Sequence, residues 1–503
     1  MDHTRLILRA ARNFFAGTLL SRISGLARDI AMAACFGASA EVAAFMVAYR
    51  LANLFRRFVG EGNLAAGFTP VFEEKRAVCF ADATLFYRQA ARSLEVILAG
   101  VVAVLIFFFL LLEAIAPADW KELVHLSMSM TPGLFFICLY ALHSAFLQCQ
   151  KHSFWVGVAP VAFNLGWIAA AWIATRTATP MRTLAIGISV SFGLQWLLTA
   201  VQVHRQLPRE DRPITVFSAD FWRMAGPMAL GLVGIGAVQI NSALDALFAR
   251  LADASGPAYL WYAIRMEQLP LALFGIALSG ALLPPLARAV KQGDLEHYHT
   301  LLQAASRGVL ALMIPCTFAL IALGRVGISL FFGHGGFGEA DVDATLWCLW
   351  GYSIGLVPSV FVLILAQGFY AVGSYRVPSI ASLVSVGINL LLNGWFVFGL
   401  GWKAPAIALA TGISSFVNWS VLAKALNAPP LDWHLAGRLT IASGMSALIV
   451  LWLQSLLEFS GWVMQLSLAG MSAFVYFGLV IVLARVLGIR KERLFSEEYS
   501  ADR

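Results

Sequence analysis

Charge is what this chain has least of. Only 13% of its 503 residues are Asp, Glu, Lys or Arg, about half the share of an ordinary soluble domain. The chain therefore has no room for a large soluble domain. It contains no Gly-x-x-x-x-Gly-Lys-Ser/Thr phosphate loop, so nothing in it is built to hydrolyse ATP. Its nine histidines show no zinc spacing. It has no Asp-x-x-Asp cluster of the kind that holds catalytic metal ions. The six cysteines (Cys35, Cys79, Cys138, Cys149, Cys316, Cys348) are scattered without ligand spacing and read mostly as core residues. The short alternating segments of a membrane β-barrel are missing. The basic stretch Met1–Arg12 is followed by no small-residue cleavage site, so no removable signal peptide is expected.

What is present is apolar length. The chain is 60% hydrophobic with a mean hydropathy of +0.77. Apolar runs of about 20 residues, each enough for a 30 Å hydrocarbon layer, recur from end to end. In lipid, every backbone polar group must be paired internally, so these runs are helices. The expectation is an all-α integral membrane protein with fourteen spans. They centre near residues 25, 55, 103, 136, 165, 193, 235, 273, 312, 358, 388, 415, 447 and 475. Placing the N-terminus inside puts 23 of the 35 lysines and arginines in inside segments and 6 in outside loops. That bias orients both termini toward the cytoplasm. The net charge of +7 then reflects topology and is no argument for nucleic acid.

The remaining arginines lie inside spans: Arg22, Arg28, Arg50, Arg56, Arg57 and Arg265. An arginine at the bilayer centre costs about 2.5–3.5 kcal/mol on insertion scales. Five of them fall in the first two spans, so a wet cavity inside a bundle is expected around them. Snorkelling to the headgroups accounts for Arg22 or Arg57 singly, not for the set. Arg50, Arg57 and Glu61 are seven and four apart and share a helical face, while Asp29 follows Arg22 by seven. Counting Asp29, Glu61, Asp245 and Glu267 against the six arginines leaves a formal +2. Surplus guanidinium suits phosphate or carboxylate, because the fork donates two parallel hydrogen bonds. The competing reading is a structural ion-pair network between helices.

A repeat at an offset of 215 residues relates Ala48-Tyr49-Arg50 to Ala263-Ile264-Arg265, and Thr69-Pro70 to Pro284-Pro285. It suggests two six-helix lobes of the same orientation, related by a pseudo-two-fold along the membrane normal. The expected division is 1–205, then 206–427 including a polar linker at Gln206–Pro213, then 428–503 with two further helices and a tail. Asn241 and Asp245 are four apart on the seventh span, and Asn389 and Asn393 on the eleventh. Such oxygens either hold a hard cation such as sodium or hydrogen-bond between helices.

Three early stretches carry a resemblance: Ser21-Arg22-Ile23-Ser24-Gly25-Leu26-Ala27-Arg28-Asp29, Phe55-Arg56-Arg57-Phe58-Val59-Gly60-Glu61-Gly62 and Phe68-Thr69-Pro70-Val71-Phe72. With Tyr262-Ala263-Ile264-Arg265, Gln268-Leu269-Pro270 and Phe274-Gly275-Ile276-Ala277, they resemble the MurJ (MviN) lipid II flippases. That family belongs to the multidrug/oligosaccharidyl-lipid/polysaccharide exporter superfamily. The resemblance implies a transporter, not an enzyme. It would act as a monomer in the bacterial cytoplasmic (inner) membrane in cell-wall biogenesis, moving undecaprenyl-pyrophosphate-linked disaccharide-peptide between leaflets by alternating access. It implies substrate-binding roles for Arg22, Arg28, Asp29, Arg56, Arg57, Glu61 and Arg265, and an apolar groove for the polyprenyl tail after Trp433. No cofactor is implied apart from sodium, whose site would fall on Asp245, Asn389, Asn393 and Thr411. There the amide Asn393 replaces a family carboxylate. An aspartate common in the family before the second helix has no counterpart in Val42-Ala43-Ala44-Phe45. The alternatives are a polysaccharide or drug exporter of the same superfamily and a membrane enzyme acting on prenyl phosphates.

Overall fold

The computed structural model describes residues 3–59, 63–208, 212–456 and 462–489. It leaves undescribed the side chains of 3–16, 18, 55–59, 63, 119, 153, 227, 229–238 and 462–463. Among the described residues every regular element is helical. In order they are α1 (His3–Phe36), α2 (Ala40–Val59), α3 (Asn63–Val78), α4 (Phe80–Ile115), α5 (Ala118–Cys149), α6 (Ser153–Ala174) and α7 (Pro180–Gln206). After the linker come α8 (Ala219–Ala252), α9 (Gly256–Pro270), α10 (Ile276–Gln292), α11 (Leu295–Phe331), α12 (Glu339–Ile354) and α13 (Leu356–Ala371). The last four are α14 (Arg376–Gly394), α15 (Pro405–Ala425), α16 (Trp433–Ser455) and α17 (Trp462–Val486).

Eleven helical stretches among the described residues are long and apolar enough to cross a membrane. The expected spans near 25, 55 and 235 are not among them. They correspond to α1, α2 with α3, and α8. The first two carry the arginines that lower local hydropathy, and part of α8 lies outside the described side chains. The expected second span covers α2 and α3, and its expected interruption at Gly60 and Gly62 lies outside the described residues.

Helix ends follow local chemistry. Asp294 and Asp432 cap α11 and α16 by accepting from the backbone N–H of His297 and Leu435, both at 2.9 Å. Gly293, at φ +72°, closes α10 in the left-handed conformation that favours glycine. Pro270 ends α9, and a five-residue π turn, Leu271–Gly275, carries the axis into α10. Proline has no N–H to give, so the hydrogen-bond ladder re-registers there.

The chain falls into two compact units, Met1–Ala243 and Leu244–Arg503. In the first, α1 packs on α6, α5 on α7 and α2, and α6 on α7. Small residues allow the approach: a Cβ on Gly17 would stand 3.0 Å from the Gly157 backbone. The first turns of α2, Val42 to Tyr49, are buried throughout. Trp167, fully buried, takes Phe45, Tyr49 and Phe163 edge-on. In the second unit α11 is central, packing against α12, α13, α16 and α17. Tyr476 on α17 donates to the Pro315 carbonyl at 2.7 Å. Of the cysteines, Cys138, Cys316 and Cys348 are buried, Cys35 and Cys149 half-buried and Cys79 exposed, all as free thiols.

Candidate functional site

The Ser21–Asp29 stretch sits mid-α1 against α6. Arg28 is 8% exposed, Asp29 3% and Asn164 4%. Arg28 Nε and Nη2 both donate to Asp29 Oδ1, at 3.0 and 2.8 Å. Arg28 Nη1 donates to Asn164 Oδ1 at 3.1 Å. The guanidinium carbon lies 4.6 Å from the centroid of the Trp167 ring, a cation–π platform. A guanidinium has five N–H donors. Three are committed, and among the described residues one N–H on Nη1 and one on Nη2 is left over. A two-point donor at the end of a fixed fork is what a phosphate oxygen pair accepts.

The other expected site residues fall in several places. Arg22, on the same helix, is exposed. Arg50 donates through Nη1 to the Ser242 carbonyl on α8 at 3.1 Å. Arg56 and Arg57 lie on α2 with side chains outside those described, and Glu61 lies outside the described residues. Arg265 belongs to the second unit, on α9. It stacks over Trp261 at 4.3 Å and donates to Gln268 Oε1 at 3.4 Å. Arg28 and Arg265 thus each rest on a tryptophan of their own unit. Asn164 and Trp167 were not singled out by the sequence argument. A signal was there: Asn164 is a lone amide inside the apolar run Val161-Ala162-Phe163-Asn164-Leu165-Gly166-Trp167.

Within the second unit a separate polar cluster gathers Asp245 of α8, Asn389 and Asn393 of α14 and Thr411 of α15. Asn393 Nδ2 donates to Asp245 Oδ1 and to Asn389 Oδ1, each at 2.7 Å. Asn389 Nδ2 donates to Thr411 Oγ1 at 3.3 Å. Asn393 is fully buried, and its Oδ1 has no hydrogen-bond partner among the described residues. Turning the amide over would relieve that oxygen only by aiming it at two others, an arrangement that needs a cation between them. One carboxylate, two amide oxygens and a hydroxyl fit a monovalent hard cation.

A third charged group lies where α3, α4 and the start of α8 meet. Lys75 pairs with Asp220 at 2.7 Å, Arg223 with Glu74 at 2.8 Å and Arg212 with Asp82 at 2.7 Å. They border a cavity of about 340 Å³ whose walls include Glu74, Lys75, Asp82 and Asp220. These charges are spent on one another, so the cavity offers no ligand a surplus of either sign. Among the described residues no three His, Cys, Asp or Glu side chains converge as metal ligands.

With this geometry in place, comparison with known proteins is decisive. The sequence model of the family "Lipid II flippase MurJ" matches residues 32–477. The chain belongs to the MurJ family. The probable lipid II flippase MurJ of Chlamydia trachomatis is 29% identical over 452 residues, 87% of this chain and 80% of that protein. Its counterpart in Chlamydia muridarum is 30% identical over 450 residues, with the same coverage of 87% and 80%. A solved lipid II flippase MurJ in an inward closed conformation superposes with a TM-score of 0.76 at 23% identity, covering 95% of this chain and 99% of that one. An inward-facing multidrug resistance MATE transporter of the MOP superfamily gives 0.63 at 12% identity, covering 81% and 94%. At those identities the structures show a shared fold. The family assignment rests on the sequence match, and it makes the chain a member of a bacterial transporter family.

Proposed function

We infer that this chain is a lipid II flippase, moving the lipid-linked peptidoglycan precursor from the inner to the outer leaflet of the bacterial cytoplasmic membrane. The observation that carries the reading is the MurJ family match across 32–477. The clamped Arg28 supplies matching chemistry. The likeness to multidrug exporters is one of fold and does not favour a drug substrate. The test is reconstitution of the purified protein in vesicles holding fluorescent lipid II. Loss of the inner-leaflet pool to an outside quencher should outpace protein-free vesicles. Equal rates, or a new covalent lipid product on extraction, would sink the reading.

The finer picture has fourteen spans, cytoplasmic termini, lobes at 1–205 and 206–427, and two added helices in 428–503 that offer a groove to the polyprenyl tail. A single chain suffices. Reporter fusions at Gln206 and Glu497 should both report cytoplasm, and a periplasmic signal at either would break this topology. Arg22, Arg28, Arg56, Arg57 and Arg265 grip the pyrophosphate, with Asp29 and Glu61 holding arginines in place. Sodium is the cation suited to Asp245, Asn389, Asn393 and Thr411. The pyrophosphate diester carries one negative charge per phosphorus, and the membrane potential is worth about 2.3 kcal/mol per unit charge per 100 mV. With the cytoplasm negative, outward movement of that anion is downhill. If the arginines neutralise the load, the empty positive protein is pulled back inward. Either way the potential favours export without ATP.

A further inference from the structure

We propose that Asn164 is the positioning residue for Arg28, and that a relay beginning at Ser21 fixes its amide so that Arg28 keeps two donors for the pyrophosphate. This rests on the flippase reading above. Ser24 Oγ donates its single proton to the Ser21 carbonyl at 3.0 Å. With that proton spent, Ser24 Oγ only accepts, and it takes Asn164 Nδ2 at 2.9 Å. The same Nδ2 also donates to the Ser21 carbonyl at 3.2 Å. The nitrogen of the amide is thereby committed to α1 one turn before Arg28, and the oxygen has to face Arg28 Nη1. An amide in a membrane core is ambiguous by itself, since nitrogen and oxygen can exchange places. The serines remove the ambiguity.

The consequence is geometric. Asp29 takes Arg28 Nε and Nη2, Asn164 takes Nη1 and Trp167 supports the face. Three contacts in different directions stop rotation about the long side chain, which otherwise costs entropy on every binding event. Asp29 already balances the Arg28 charge, and Asn164, being neutral, adds its contact without bringing a second negative charge. A carboxylate at 164 would hold the guanidinium equally well but leave the Arg28–Asp29 group net negative and repel an anionic substrate. Asparagine is suited to both demands.

The test is a double-mutant cycle with undecaprenyl pyrophosphate as probe, titrated onto purified detergent-solubilised protein, with undecaprenyl monophosphate in parallel. Asn164→Leu should weaken pyrophosphate binding about tenfold, and Ser24→Ala a few-fold. Asn164→Asp should bind as weakly as Asn164→Leu despite keeping an acceptor. In an Arg28→Ala background Asn164→Leu should add nothing. Equal losses with and without Arg28 would overturn the proposal. A cryo-EM structure of Asn164→Leu decides the positioning role separately from substrate identity. The guanidinium should leave the Trp167 face, and finding it still at the 4.6 Å seen here would overturn the proposal even if no lipid bound. A wild-type protein that binds neither lipid would instead count against the flippase reading alone.

Discussion

Two buried polar clusters, one in each unit, use asparagine in opposite ways. At Arg28, Asn164 offers its oxygen to a cation and the cluster ends with donor N–H groups to spare. At Asp245, Asn393 offers its nitrogen to a carboxylate and to a second amide, and its own oxygen has no partner among the described residues. On the function proposed above, the first would serve an anion and the second a cation. The difference lies in which helix supplies the charge. α1 brings an adjacent Arg–Asp pair whose fork is larger than one carboxylate can fill. α8 brings an acid to which the Asn393 amide donates. In hydrocarbon neither charge survives unpaired, so each cluster shows by its leftover atom what it still needs.

Breaking the first cluster should have the largest effect. Arg28→Ala is expected to abolish flipping, at least about a hundredfold in the vesicle assay if the bidentate grip is worth about 3 kcal/mol. Removing one partner of a buried ion pair also strands the other, at about 3–5 kcal/mol. Arg28→Ala with Asp29→Ala should therefore regain thermal stability and remain inactive. Transport regained along with stability would make the arginine structural. Arg28→Lys should restore only part of the activity, because lysine lacks the fork.

An intermediate effect is expected at the second cluster. Asn393→Asp sets a second carboxylate beside Asp245 and removes the donor between them. In sodium-free buffer its melting temperature should fall, and millimolar sodium should raise it more than potassium does. A variant indifferent to sodium would leave the cluster purely hydrogen-bonded. Asn393→Ala leaves Asp245 without that donor, a loss of about 1–3 kcal/mol, visible as a lower melting temperature with or without sodium.

The smallest effect belongs to the charged group around Lys75. Lys75→Ala removes a half-exposed ion pair with Asp220, worth about 0–1 kcal/mol. Flipping should stay within about twofold of wild type. A larger loss would mean that this junction between α3 and α8 takes part in the cycle, and the contrast drawn between the two buried clusters would have to include it.

Sequence alone determined the class of molecule. Hydrophobic length forces helices, because lipid offers the backbone no partner, and the adjacent Arg28 and Asp29 within an apolar run stood out as candidate site residues. It also marked Asp245, Asn389, Asn393 and Thr411 as a set, through spacing and family resemblance. Tertiary structure decided what those residues do to one another. Asn164 is 136 residues from Arg28 and Asp245 is 148 from Asn393, separations that no helical period encodes. Which amide atom faces which charge depends on how α1 meets α6 and how α8 meets α14. That orientation leaves N–H donors over at Arg28 and an oxygen over at Asn393, and packing fixes it because each amide has only one arrangement that suits the neighbours described.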